Sequence, residues 1–232
     1  MGEKSNNSNE SLNFFIRIAP AFRRNVLHRF YNIERFRQFT LSAIENEKKS
    51  IEERFDKDTK GLTEEEIHEY FDWNAEDYSI VEDVFTTISL YSFIVILYSY
   101  IEDGLNIICN AEYSDKARLH KKENMPPFLI RYKDMKGKGI KRAKLYLEKV
   151  IGLNLHSNKN PWSEIDTLRK IRNTIVHSDG TASEEIEKDG NIEKHIKAGR
   201  IEITDHGKLK VNPSYTEYIL LKVQQFIKDI GT

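Results

Sequence analysis

The run LYSFIVILYSYI, residues 90–101, constrains this chain more than any other stretch. It is twelve residues of aliphatic and aromatic character, and it ends in Glu102 and Asp103. A helix needs about 20 apolar residues to cross a bilayer, so this run reads as a helix buried in protein. A buried helix needs amphipathic neighbours to cover it.

The rest of the sequence provides them. Apolar residues recur at helical spacing between about 20 and 55: Phe22, Val26, Phe30, Ile33, Phe36, Leu41 and Ile44. Thr63 followed by Glu66 reads as a capping box after the turn at Gly61. The helical pattern it opens continues to about Cys109, with a break expected near Trp73-Asn74. Met125-Pro126-Pro127 and Lys136-Gly137-Lys138-Gly139 interrupt the chain again. A helix is expected over 139–151. Another starts at Pro161, carries Trp162, Ile165, Leu168, Ile171 and Ile175 as its periodic residues, and ends at His177. The polar, acidic stretch 181–199 reads as a surface excursion. RIEITDHGKLKV, residues 200–211, alternates apolar and polar residues around His206-Gly207, the signature of a β-hairpin. A closing amphipathic helix is expected over 213–230. The fold class is therefore all-α, a helical bundle with one small β-hairpin before the C-terminal helix. Residues 1–75 read as an N-terminal helical extension and 76–232 as the main helical domain, sharing one continuous core.

Charge is partitioned along the chain. The net charge is −1, yet Glu45–Asp83 carries fifteen acidic against five basic residues, and Lys116–Lys149 twelve basic against three acidic. Solvated helix faces account for both segments in the plain reading. In the sharper one the basic segment lies along a polyanion, with Arg131, Lys138, Lys141 and Arg142 on phosphates and Phe128, Tyr132 and Tyr146 stacking on bases. With 39% hydrophobic and 31% charged residues, the chain reads as a soluble globular protein. Its single cysteine, Cys109, excludes an internal disulfide. The polar start, MGEKSNNSNESLN, lacks the apolar core of an export signal. A cytoplasmic protein without membrane association is expected.

No glycine-rich phosphate loop and no histidine pair at metal spacing within one helix is visible, so neither metal nor cofactor is expected. The remaining chemistry lies in arginine and histidine. Arginine offers a planar, permanently charged fork to a phosphate. Histidine titrates near neutrality and moves protons. Together they suffice for metal-free attack of a ribose 2′-hydroxyl on the adjacent phosphorus. Three arginines precede a histidine with four to six residues between them: Arg23/His28, Arg172/His177 and Arg200/His206. Composition alone predicts about one such pair, so context must choose. His206 falls in the hairpin turn, and Arg23 in a helix rich in arginine. Arg172 stands four residues from both Leu168 and Val176, on the edge of an apolar stripe, where an unpaired charge is costly. Asn173 and His177, four apart, share a helix face. His177 opens onto the turn Ser178-Asp179-Gly180. A helix-terminal histidine interacting with the macrodipole accounts for the same position. Glu102, on one face with Tyr91, Val95, Tyr98 and Leu105, reads either as an ordinary helix-surface glutamate or as an acid in need of a cation, for which Arg172 or Arg169 would serve.

These residues resemble the HEPN family (higher eukaryotes and prokaryotes nucleotide-binding domain). Its signature is an arginine, commonly an asparagine next, and a histidine after four to six intervening positions near a helix end, as in IRNTIVHSDG. An earlier glutamate followed by a Leu-Asn pair is similar to SYIEDGLNIIC, and a hairpin before a closing helix to GRIEITDHGKLKVNPSYTEYILLKV. The resemblance covers about residues 80–230 and leaves 1–75 without a counterpart. Some members have a tyrosine two positions after the histidine. Asp179 stands there in this chain, so that subfamily's chemistry does not carry over.

The resemblance implies a metal-independent endoribonuclease of the kind found in prokaryotic toxins and antiviral defence. Arg172 would bind and polarise the scissile phosphate, His177 would transfer a proton or hold the phosphate, and Asn173 would orient substrate or histidine. The alternative is a catalytically inactive relative that binds RNA, a nucleotide or a partner. Cleavage needs both a base and an acid, and one histidine per chain supplies one at a time. A homodimer with a composite site is therefore expected. A toxin further implies an antitoxin or sensor protein that restrains it.

Overall fold

The computed structural model describes residues 3–122, 129–155 and 161–230, with side chains described from Arg24 onward except that of His120. The break expected at Met125–Pro127, the stacking residue Phe128, most of the turn before Pro161, and the side chains of Phe22 and Arg23 lie outside the described residues.

The fold is all-α with one small antiparallel hairpin. Helix α1 spans Glu3–Asp58, so it begins well before the periodic apolar residues that start near residue 20. The chain turns through Thr59–Leu62 into α2, Glu64–Ser79. The Thr63 capping box forms as expected. The Thr63 amide donates to Glu66 Oε2 at 2.8 Å, and the Glu66 amide donates to Thr63 Oγ1 at 3.4 Å. No break occurs at Trp73-Asn74. The Asn74 side chain instead donates to the Tyr70 carbonyl at 2.7 Å, one turn back along an unbroken helix. The irregularity falls later, in a π-helical turn over Ile80–Phe85. Helix α3 follows at Thr86–Lys122.

Helix α4, Gly139–Tyr146, runs into a second π-helical turn, Leu147–Ile151. Helix α5 spans Trp162–Ser178. Residues 181–199 are more ordered than a polar excursion. They form α6 (Glu184–Glu187) and α7 (Gly190–Lys197), which bury Ile186, Ile192 and His195. Acidic residues hid this amphipathic spacing in the sequence. Strands β1 (Ile201–Ile203) and β2 (Leu209–Val211) pair antiparallel with Ile201 opposite Val211, and α8 closes the chain at Pro213–Asp229.

Two compact units share these elements. The first comprises Met1–Tyr31, Ile96–Ile171 and Glu217–Thr232. Its core includes Leu97, Ile101, Leu105, Ile140, Leu147, Ile165, Leu168 and Val223, each at most 1% exposed. The Trp162 ring meets Phe226 edge-on at 5.6 Å. One polar cluster is sealed inside. Glu112, fully buried, accepts a hydrogen bond from Tyr146 Oη at 2.5 Å, and Lys116 Nζ lies 3.0 Å from its other oxygen. Burial, reinforced by the Glu112 carboxylate, pushes the Tyr146 hydroxyl and the Cys109 thiol above their usual pKa ranges.

The second unit comprises Asn32–Val95 and Arg172–Thr216. It buries Ile33, Val81, Leu90, Phe93 and Ile94 with the hairpin residues Ile201, Leu209 and Val211. His195 meets the Tyr215 ring edge-on at 5.1 Å.

Within Glu64–Leu119 one 18-residue window has a mean hydropathy of 1.8, enough by length and composition to cross a membrane, and 28% of it is buried. The apolar character thus extends past the twelve-residue run, because the serines, threonines and tyrosines flanking it carry no charge. Core helices pass the same test, and Leu90, Phe93, Ile94, Leu97 and Ile101 are at most 1% exposed.

Candidate functional site

Three periodic residues, Ile165, Leu168 and Ile171, are wholly buried and fix the orientation of α5. That register leaves Arg172 and Asn173 half-buried and turns His177 outward. Val176 is 45% exposed, so the apolar stripe ends at Arg172 and does not flank it on both sides. The three motif residues share the last two turns of the helix. Arg172 Nη1 donates to Asn173 Oδ1 at 3.1 Å, which holds the guanidinium against its neighbour.

The helix ends at Ser178 in an unusual pair of residues. Asp179 (φ 48°) and Gly180 (φ 73°) are both left-handed. Aspartate tolerates this region better than most residues, and glycine does so freely. The Gly180 amide reaches back to the Thr174 carbonyl at 3.0 Å, and the Thr181 amide to Ser178 at 2.8 Å. The hairpin then clasps the turn. Lys208 Nζ donates to the Asp179 carboxylate at 2.8 Å and to its carbonyl at 2.6 Å. The lysine holds the Asp179 carboxyl below the usual carboxylate range, chiefly through that hydrogen bond. The Leu209 amide donates to the Gly180 carbonyl at 2.8 Å, and Thr181 bridges to Lys208. Tyr91 Oη, from α3, donates to the Leu209 carbonyl and covers Gly180.

Gly180 is irreplaceable on two counts. A Cβ there would lie 2.4 Å from Tyr91 Oη, and the positive φ strains any side chain. Gly180→Ala is expected to cost about 2–4 kcal/mol, combining the left-handed strain with loss of the Tyr91 hydrogen bond. Urea titration of both proteins reads this as a lower midpoint; an unchanged midpoint would show that the turn relaxes freely.

The sequence singles out Arg172, Asn173 and His177 but not Tyr91, Gly180 and Lys208, which hold the turn after them. The Asp-Gly pair after a helix was the available signal for the turn. Nothing in the sequence pointed to Lys208.

Glu102 belongs to the first unit. Its carboxylate packs against Gly139, the first residue of α4, so closely that a Cβ there would lie 2.5 Å from Oε1. A carboxylate at a helix N-terminus is favoured by the macrodipole, so Glu102 finds partial positive charge there. Arg169, one of the two cations expected to face it, pairs with Asp166 at 2.8 Å.

The basic segment divides into engaged and outward residues. Arg131 is tied to Asp134 at 2.8 Å. Arg142 donates to the Gly137 carbonyl at 2.9 Å and lies 5.7 Å from the Tyr132 ring centroid. Lys138 and Lys141 are exposed. Tyr132 and Tyr146 are buried and 6.1 Å apart, so neither offers a face for stacking on bases, contrary to expectation. Their rings are needed to fill the core beside α4. Of the other arginine–histidine pairs, His206 sits exposed in the hairpin turn and His28 is exposed on α1. Among the described residues, no group of three or more His, Cys, Asp or Glu side chains is placed to hold a metal ion.

Comparison with protein-family models, with curated proteins and with solved structures finds no match for this chain.

Proposed function

We propose that this chain is a metal-independent endoribonuclease acting in the cytoplasm as a toxin or antiviral defence effector. The observation that carries this reading is the end of α5. Arg172, Asn173 and His177 occupy one helix terminus, with the imidazole exposed and the turn beyond it fixed by the hairpin. Arg172 offers two-pronged donation to a scissile phosphate once a phosphate oxygen replaces Asn173 Oδ1. The 2′-oxygen then forms a bond to phosphorus as the bond to the 5′-oxygen breaks. One histidine accepts the 2′ proton and a second supplies a proton to the leaving oxygen. Two chains would furnish both, which makes the site composite. Lys138 and Lys141 give further contacts for the RNA backbone.

The test is cleavage of single-stranded RNA by the full chain in the presence of EDTA, against the Arg172→Ala/His177→Ala double variant. Products ending in a 2′,3′-cyclic phosphate, absent with the variant, support the reading. Cleavage retained by the double variant shows that the motif is not the site. RNA binding without cleavage by the wild type assigns the chain to the inactive, binding class.

A further inference from the structure

Helix α2 is sixteen residues long and buries none of them. Helices in proteins draw most of their stability from a packed apolar face, so a helix of this kind is underfilled by its own chain. It is held to α1 by a few contacts. Phe55 meets the rings of Tyr70 and Phe71 edge-on, each at 5.7 Å, and Tyr70 Oη donates to Asp58 at 2.8 Å. Its apolar residues stay largely uncovered: Phe71 is 53% and Trp73 85% exposed. Between the two helices lies a cleft of about 190 Å³ whose apolar lining includes Phe55, Phe71, Ala75 and Tyr78.

Charge specifies what covers it. The cleft lies within the segment bearing fifteen acidic and five basic residues, and Glu52, Asp56 and Asp77 border it with a single cation, Arg54. Nucleic acid and anionic membrane are repelled by such a surface. A second copy of this chain is poorly suited as well. Its own basic helix, α4, buries Ile140, Ala143 and Tyr146 in its own core and keeps only Leu145, itself half-buried, to insert.

We propose that the α1–α2 cleft is a docking site for a cationic amphipathic helix of a different protein. Its aliphatic side chains would enter between Phe55, Phe71 and Tyr78, and its lysines or arginines would face Glu52, Asp56 and Asp77. This is helix-in-groove recognition with electrostatic steering. The inference is independent of the ribonuclease reading, because binding is measured without activity.

The probe is a fluorescein-labelled amphipathic peptide of lysine and leucine, about 18 residues long, or five helical turns. A glutamate-for-lysine version of the same peptide is the control. Anisotropy is measured with the full chain at physiological ionic strength. Saturable binding of the cationic peptide is expected, with none for the anionic one. Two variants test the place. Ala75→Trp fills the cleft while keeping a good helix position, and Asp56→Lys/Asp77→Lys reverses its border. Each is expected to weaken binding at least about tenfold, the loss of a hot-spot contact, with an unchanged melting temperature. Equal affinity for both peptides overturns the proposal, as does cationic binding untouched by both variants. It is also overturned if the chain dimerises and Ala75→Trp abolishes the dimer.

Discussion

His177→Ala is expected to lower the rate of RNA cleavage by about 10²- to 10⁴-fold, the usual loss when a general acid–base group is removed. The same change is expected to leave unfolding free energy within about 0.5 kcal/mol of the parent, because the imidazole is exposed. Arg172→Ala separates from it in kind. The guanidinium is half-buried and hydrogen-bonded to Asn173, so its loss should cost about 1–3 kcal/mol as well as activity. Measuring cleavage rates and melting curves on the two single variants distinguishes a chemical from a structural histidine. A His177→Ala protein that melts several degrees lower, yet cleaves normally, would place the residue in the scaffold.

Glu112→Ala is expected to destabilise the chain by about 3–5 kcal/mol, the range for breaking a buried ion pair by removing one partner. The carboxylate is fully buried. Its loss strands the Tyr146 hydroxyl and leaves the Lys116 ammonium, whose side chain is only 14% exposed, without its counter-charge. For a chain of this size the melting temperature should fall by about 10 °C. Removing all three polar groups together tests the cause. Glu112→Met/Lys116→Met/Tyr146→Phe should recover most of the loss, because an apolar replacement avoids both the desolvation and the stranding. Calorimetry on the two proteins decides. If the triple variant is no more stable than Glu112→Ala, the polar cluster is worth more than the apolar core that replaces it.

Helical spacing made α1, α5 and α8 legible, because Val26, Phe30 and Ile33, or Ile165, Leu168 and Ile171, repeat on one face and are all buried. The Thr63 box and the alternation around His206-Gly207 were equally direct, since each is a short pattern with one local solution. The irregular elements were not legible. Nothing in Ile80–Phe85 marks a π-helical turn, which depends on packing at both ends. Helices α6 and α7 carry few apolar residues, and their burial is decided by what they pack against. For the site, Arg172, Asn173 and His177 were visible because they fall within six consecutive residues. Their supports were not, because Tyr91 and Leu209 stand 118 residues apart. Glu102 lies beside Gly139 at the start of α4. The Gly139 end of α4, a backbone feature, was not among the partners considered.

The clasp on Asp179 and Gly180 also sets a schedule. Lys208 and Leu209 lie downstream of the helix end they hold, so a growing chain carries His177 well before it carries the clasp. At common rates of synthesis the interval is roughly 2–6 s. Throughout that interval the end of α5 has neither its hairpin nor the Tyr91–Leu209 bond to shape it. The terminus takes its final shape only once the hairpin through Val211 is in place, about thirty residues after His177. A nascent or prematurely ended polypeptide therefore carries the motif without the geometry.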